Sequence, residues 1–528
     1  MKTIKILAVS LVFSLCLFGL ITGCGGSNPN NSSVTNIQVN DTDKPMVDNG
    51  ETTITETDVD NPSNQNNNTP IVEPGPSEPE PSDPEPSEPE PSEPEPSEPT
   101  PPEPYYITNN FGQDSSSAFL VQWHNDASVD TQKLQIVTET GNFTSARTIT
   151  VTGKKFEGTS GKTGNFAARN VFRTEVTGLA PNTQYKYRVG DTGAWSDTYH
   201  HLTSSGTAGD FSFTVVSDPQ SGAHSDMRNT LSAADAFDPA GRFYLNGGDL
   251  VDEIGKTPAE IVSYTNVASK FNKYRPIAAT QGNHDTYYDN GTDNQYRFGE
   301  STVFNAFVTF PDNGWDTNAD KANRSQSYYF YYNKVLFIIL NTMATSNNAG
   351  TTEPVHTSQA NWLRTILEND KVNNLSRYKI VLTHVSPLSG RSTERWLTPG
   401  VRAAYGKICT DYNVDIFFAG HDHVYCRSNP IKIVGTTTTT SGLAQQNFNT
   451  TPNGTIFTIV SATGPKFYTI EKPVDVEKYF TVKTDASAPG VFVNVKVTGE
   501  KLKVTAIKLL ADGTGPGEKL DEYEVAAK

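Results

Sequence analysis

Hydrophobic and polar positions follow two different rhythms along this chain, and the change falls near residue 206. From 105 to 205 the apolar runs are short and two-fold, as in SAFLVQWH, KLQIVTE, FRTEVTGL and YKYRV, with turn-prone stretches between them. Side chains on a strand alternate faces, so several such runs in series predict a small all-β sandwich over 105–205. From Phe211 the strand-like runs FSFTVVS, RFYLNGGD, PIAAT, VLFIIL, YKIVLTH and VDIFFAG are separated by helix formers at 231–237, 259–273 and SQANWLRTILEN. That alternation predicts a layered α/β fold over 206–528. YYFYY at 328–332 and the closing runs GTIFTIV, GVFVNVKV and KLKVTAIKL read as antiparallel strands. A two-sheet β-sandwich flanked by helices accommodates both kinds. The folded stretch of about 420 residues exceeds one hydrophobic core, which requires at least two domains.

The first 104 residues carry no such rhythm. MKTIK, the apolar stretch ILAVSLVFSLCLFGL and the small-residue exit ITGC read as an export signal over 1–23, too short for a spanning helix. Ile21, Thr22, Gly23 and Cys24 resemble a bacterial lipobox, which implies lipidation of Cys24, membrane anchoring through that residue and an extracytoplasmic location. Residues 24–104 form an Asn/Ser/Thr-rich tract followed by PSEPEPSEPE-type repeats. Proline holds the backbone near polyproline II while glutamates repel one another, so the segment reads as an extended acidic stalk.

Charge changes the picture only by being discounted. The chain carries a net charge of -17, and residues 28–104 alone carry that much. With Lys2 and Lys5 counted, residues 105–528 are left at -2. The acidity therefore describes the stalk and not the ligand, and the absence of a basic block argues against a nucleic-acid partner. Cys409 and Cys426 lie beyond the signal, and an exported chain permits a disulfide between them.

Polar clusters recur where the apolar runs of the second region stop. Asp218 follows FTVVS, Asp249 follows FYLNGG, Asn283 and His284 follow PIAATQG, His384 follows KIVLT, and His421 and His423 follow DIFFAG. In an open α/β layer the carboxyl ends of the strands share one edge, so five such endings converge on one site. Two cations about 3.5–4 Å apart need an anion between them, and Asp249, after two glycines, suits that bridge. Asn283 offers a carbonyl oxygen, and the imidazoles suit Zn, Fe or Mn. In the extended GHDH segment His421 and His423 share a face, and Asp422 points elsewhere.

These residues resemble a known family. Asp218-Pro219-Gln220, Gly248-Asp249, Gly282-Asn283-His284-Asp285, His384 and Gly420-His421-Asp422-His423 are similar, in order, to the five motif blocks of calcineurin-like metallophosphoesterases. GLAPNTQYKYRVGD resembles the Leu-x-Pro-x-Thr-x-Tyr signature of fibronectin type III domains, through Leu179, Pro181, Thr183 and Tyr185, with Tyr185 as a corner hydroxyl. Together they point to the purple acid phosphatase branch. The resemblance implies one metal held by Asp218, Asp249 and His423, a second held by Asp249, Asn283, His384 and His421, and attack on phosphorus by a metal-held hydroxide. It implies His284 as proton donor to the leaving oxygen, with Asp285 orienting its ring.

The chain departs from the family at the first metal. Purple members carry a tyrosine three residues after the bridging aspartate, where this chain has Asp252. Many others carry a histidine two residues after the first aspartate, where it has Gln220. Either residue can complete the set, and both imply a colourless pair of Mn, Zn or Fe(II) ions. Arg391, Tyr287, Tyr288 and Tyr425 follow site segments and are candidates to contact a small phosphorylated substrate through guanidinium pairing or ring stacking. Trp123 reads as a core residue. The expected activity is hydrolysis of phosphate monoesters, with a phosphodiesterase and a stalked, non-catalytic binding module as the rival readings.

Overall fold

The computed structural model describes residues 102–527, except 159–165, 256, 287, 290–295, 298–301, 316–325, 344–356, 392–397, 439–443, 471–477 and 486–488. The signal, Cys24 and all but the last residues of the stalk lie outside the described residues. Among those described, no helix is long and apolar enough to cross a membrane.

The N-terminal β region is a sandwich, as its two-fold pattern requires. One sheet pairs Tyr105–Phe111, Phe119–Asp126, Phe166–Val176 and Lys154–Gly158, and the other pairs Arg147–Thr152, Thr131–Thr138, Gln184–Asp191 and Ala194–Trp195, with Tyr199–Leu202 beside Gln184–Asp191. Phe119, Val121 and Trp123 face inward, and Trp123 lies flat against Phe172 with ring centroids 5.5 Å apart. Its indole N–H donates to Gln132 Oε1 at 2.5 Å, which satisfies the one polar atom the ring would otherwise bury unpaired. The Tyr185 hydroxyl accepts from the Ala180 N–H at 2.9 Å and so pins the corner that the sequence signature implied.

Two sheets follow. In the first, Ile277–Ala279, Tyr244–Asn246 and Phe211–Val216 run parallel, and Val491–Val497, Lys501–Leu509 and Pro516–Ala526 extend it antiparallel. In the second, Val335–Ile339, Tyr378–Leu382, Ile416–Ala419 and Ile456–Val460 are parallel, flanked by antiparallel Tyr328–Tyr332 on one side and by Tyr425–Ser428 and Phe480–Thr484 on the other. The run GTIFTIV, read as antiparallel, is thus parallel to one neighbour and antiparallel to the other. All five residues of Ile456–Val460 are buried, on both faces, where alternation carries no orientation signal.

Strand periodicity divides the second sheet between two cores. Phe337 and Ile339 face the first sheet, whereas Leu336 and Ile338 face outward onto the helix Thr357–Asn373, which presents Leu363, Ile366 and Leu367 at helical spacing. On the other sheet, Ser225–Phe237 buries Met227, Leu231 and Ala234 on one stripe. Cys409 and Cys426 are both buried in the outer core as free thiols, so the disulfide that the sequence permitted is not formed.

The two β regions share packing. Phe111 belongs to the inter-sheet core, edge-on to Phe243 at 5.1 Å. The Asn109 amide donates to the Asn272 carbonyl at 2.7 Å, and Gln122 Nε2 donates to the Ala306 carbonyl at 2.7 Å.

Candidate metal centre

The six residues assigned to the two metals sit at the carboxyl ends of parallel strands, three on loops of one sheet and three on loops of the other. Asp218, Asp249 and Asn283 follow Phe211–Val216, Tyr244–Asn246 and Ile277–Ala279, while His384 follows Tyr378–Leu382 and His421 and His423 follow Ile416–Ala419. All six are buried. To turn there, the chain enters left-handed backbone at Asp218 (φ 50°), Asp249 (φ 51°), His421 (φ 70°) and His423 (φ 49°), a conformation that side chains with a Cβ adopt at a cost. The preceding glycines are needed for close approach. A Cβ on Gly420 would lie 2.2 Å from Asp218 Oδ2, and one on Gly282 would lie 2.2 Å from Asp249 Oδ1.

Hydrogen bonds fix which atom of each ligand faces the centre. His384 Nδ1 donates to the Gly247 carbonyl at 2.8 Å, and His423 Nδ1 donates to the Lys466 carbonyl at 2.5 Å. Each imidazole therefore turns Nε2 inward, as backbone carbonyls do for histidines that ligate metals. His384 Nε2 lies 3.1 Å from Asp249 Oδ2, 3.0 Å from Asn283 Oδ1 and 3.2 Å from His421 Nδ1. His423 Nε2 lies 3.2 Å from Asp218 Oδ1. Two groups result, Asp249 with His384 and His421, and Asp218 with Asp249 and His423, each with its ligand atoms within 4.8 Å of one another. Asp249 belongs to both. Asp422 turns away, accepting from the Gly390 N–H at 2.7 Å.

The electrostatics fit a cation. Burial opposes charge on His384, yet Asp249, with Asp218 behind it, raises that imidazole to about 9. Burial likewise opposes charge on Asp249, and His384 and His284 hold its carboxylate well below the usual range. Carboxylates and lone-pair nitrogens this close together, away from water, call for positive charge between them.

His284 lies beside this centre. Its N–H donates to Asp249 Oδ1 at 2.9 Å and its Nδ1 donates to the Asp252 carbonyl at 2.6 Å, which leaves Nε2 for other partners. Burial pushes the imidazole below its ordinary value; Asp249 opposes that shift, and the Lys466 charge adds to it. Asp285 does not orient the ring. Its carboxyl accepts from the Leu250 N–H at 2.8 Å and the Gly282 N–H at 2.9 Å and so clamps two ligand loops together. Burial first, and then Asp249, push that carboxyl up to about 8.

Of the substrate candidates, Tyr425 is displaced from the role. It is fully buried in the inter-sheet core, where it opens the strand Tyr425–Ser428, and its hydroxyl donates to Asp521 at 3.0 Å. Arg391 lies over the Tyr468 ring at 3.9 Å, and that ring packs against His423 at 4.7 Å. Tyr287 lies outside the described residues, and Tyr288 pairs with Arg297 on a short strand whose side chains are likewise outside them.

A sixth strand ending escaped the sequence reading. After Ile456–Val460, the Thr463 N–H donates to the Ser217 carbonyl at 2.8 Å, the Gly464 N–H to the Asp218 carbonyl at 3.0 Å, and Lys466 and Tyr468 reach His423. The signal was present, since SATGPK follows an apolar run as the other five clusters do. It lacks acid or histidine, so a search by ligand type passes over it.

Comparisons with known proteins agree with this geometry. Residues 211–425 match the calcineurin-like phosphoesterase family and residues 104–203 match the N-terminal domain of purple acid phosphatases. Uncharacterized proteins of Mycobacterium tuberculosis, strains CDC 1551 and H37Rv, are each 23% identical over 354 residues, or 62% of this chain. The chain spans 63% of the length of those relatives. The structure is similar to a purple acid phosphatase isolated from yellow lupin (Lupinus luteus) seeds, with a TM-score of 0.60 at 17% identity, covering 80% of this chain and 74% of that one. It is also similar to PhoD, with a TM-score of 0.51 at 13% identity, covering 79% and 92%. At these identities the likeness is one of fold. The chain thus carries a calcineurin-like phosphoesterase domain preceded by a purple acid phosphatase N-terminal domain.

Proposed function

We propose that this protein is an extracytoplasmic, lipid-anchored metal-dependent hydrolase of phosphate monoesters. The observation that carries the activity is the sharing of Asp249 between two buried Asp/His groups, with Asn283 against the second. Asp218, Asp249 and His423 would hold one ion, and Asp249, Asn283, His384 and His421 the other. When bound, the ions supply positive charge to the phosphoryl oxygens and activate water as the nucleophile. Anchoring and location rest on the export signal and Cys24.

The chain's own residues supply position and a proton. The clamp by Asp285 and the carbonyl bonds to His384 and His423 fix the ligands before substrate arrives, which removes reorganisation from the reaction. His284 Nδ1 is committed to the Asp252 carbonyl, so only the imidazolium carries a proton on Nε2. That proton can pass to the leaving oxygen.

Stripped protein reloaded with Mn, Zn or Fe(II) and assayed on phenyl phosphate and on a phenyl diester tests the activity. Faster monoester turnover supports it. Turnover of the diester alone moves the reading to a phosphodiesterase, and absence of both bound metal and turnover sinks the enzyme. Cys24→Ser releases the protein from the membrane fraction if the anchor is as proposed; retention there removes it.

A further inference from the structure

The sequence leaves Gln220 and Asp252 as rivals for the same place, and the structure shows them in contact. Gln220 Nε2 donates to Asp252 Oδ1 at 3.2 Å. With the amide nitrogen directed at Asp252, Gln220 Oε1 lies on the other side of the amide. That Oε1 is buried and makes no hydrogen bond among the described residues. A buried carbonyl oxygen without a donor is costly, and a cation relieves the cost as well as a donor does.

Gln220 and Asp252 sit on the loops of the first ion's carboxylates. Gln220 lies two residues after Asp218, and Asp252 three residues after Asp249, so their bond ties together the loops that carry the two carboxylates of the Asp218, Asp249 and His423 group. Gly464 packs against the same loop, where a Cβ would lie 2.9 Å from the Gln220 carbonyl and 3.0 Å from that of Asp218. Asp252 is otherwise committed. Its N–H donates to Glu260 Oε2 at 2.8 Å and its carbonyl accepts from His284 Nδ1.

We propose that Gln220 Oε1 completes the ligand set of the ion held by Asp218, Asp249 and His423, and that Asp252 is a positioning residue that orients the Gln220 amide. This rests on the metal-centre reading above. A neutral amide oxygen replaces the charged or imidazole donor at this corner. The first ion is therefore held by hard oxygen donors and one imidazole, which favours Mn over Zn there.

The full chain, stripped and reloaded with Mn or Co(II), is examined by elemental analysis, metal titration and the visible absorption of the cobalt form. Wild type is expected to hold two ions. Gln220→Leu should lose one of the two and retain the other, and Gln220→Glu should retain both with a shifted cobalt spectrum. Asp252→Leu should weaken the same ion about 10- to 100-fold, as loss of a supporting contact does, and Asp252→Asn should restore it. Two ions at wild-type affinity in Gln220→Leu overturn the proposal. So does a greater loss in Asp252→Leu than in Gln220→Leu, which would make Asp252 the ligand. Unchanged unfolding temperatures of the stripped variants separate ligand loss from misfolding, and Gln220→Glu carries the test if the leucine variant fails to fold. Wild type that holds two ions yet hydrolyses no phosphate ester removes the proposed function and leaves the ion counts to decide this inference.

Discussion

His384 and His201 are both fully buried, yet burial drives one below its ordinary range while its neighbours drive the other above it. His201 stacks on Phe119 at 4.0 Å with neither ring nitrogen hydrogen-bonded among the described residues, and burial pushes it down to about 3. His124, where the N-terminal sandwich meets the second β region, donates from Nε2 to the Ala306 carbonyl at 2.7 Å, has no partner for Nδ1 among the described residues and is also pushed down to about 3. His384 and His423 each give one nitrogen to a backbone carbonyl and turn the other toward a carboxylate. What marks a ligand histidine is where its second nitrogen points. A core histidine has nothing there, and it folds neutral.

The largest effect that would break this contrast belongs to His384. His384→Ala should remove the second ion and lower kcat/KM by about 10³-fold or more, read by metal analysis and initial rates, whereas His201→Phe should change neither. Retained metal and rate in His384→Ala would erase the distinction. His284→Ala should keep both ions and lose about 100-fold in kcat on poor leaving groups, with less loss on good ones, because a proton donor matters least where the leaving oxygen needs none.

The third prediction concerns pH and the core histidines. Their folded pKa lies below the unfolded 6.5, so the stability they contribute is complete above pH 6.5 and falls as pH drops toward 3. Each costs about 1.4 kcal/mol per pH unit in that window. His201→Phe, which keeps the ring stack, should flatten the decline of denaturation free energy between pH 6 and 4, and an unchanged slope would contradict the assignment. The smallest effect is that of Tyr425→Phe, which loses the bond to Asp521. A loss of about 1 kcal/mol in stability with KM unchanged is expected.

The histidine contrast also shows what the sequence could reveal. His384, His421 and His423 were legible because each ends an apolar run, and strand ends at one edge converge whatever the loops between them do. His201 ends no such cluster, and its burial depends on Phe119 and Phe111, residues far from it along the chain. The two-sheet architecture was legible for the same reason, since its strands repeat one pattern. The orientation of Ile456–Val460 was not, because a strand buried on both faces loses its alternation. Asp285 was misjudged through adjacency to His284. Neighbours along a tight turn diverge, and its carboxyl faces the backbone of two other loops. Lys466 and Tyr468 were missed because they act through a carbonyl and a ring face, features that residue type does not announce.

The left-handed backbone at Asp218, Asp249, His421 and His423 has a consequence for how this chain evolves. Each of these residues carries about 1 kcal/mol of conformational cost that glycine would not. Substitution by glycine at any of them would relieve that backbone cost while dismantling the centre, although at Asp218 and Asp249 it would also strip the acceptors of the His421 and His284 N–H groups. Backbone conformation and use pull in opposite directions at four positions at once. A descendant freed from selection for the ion should shed these strained residues early, and the order in which they are lost would record when its chemistry was abandoned.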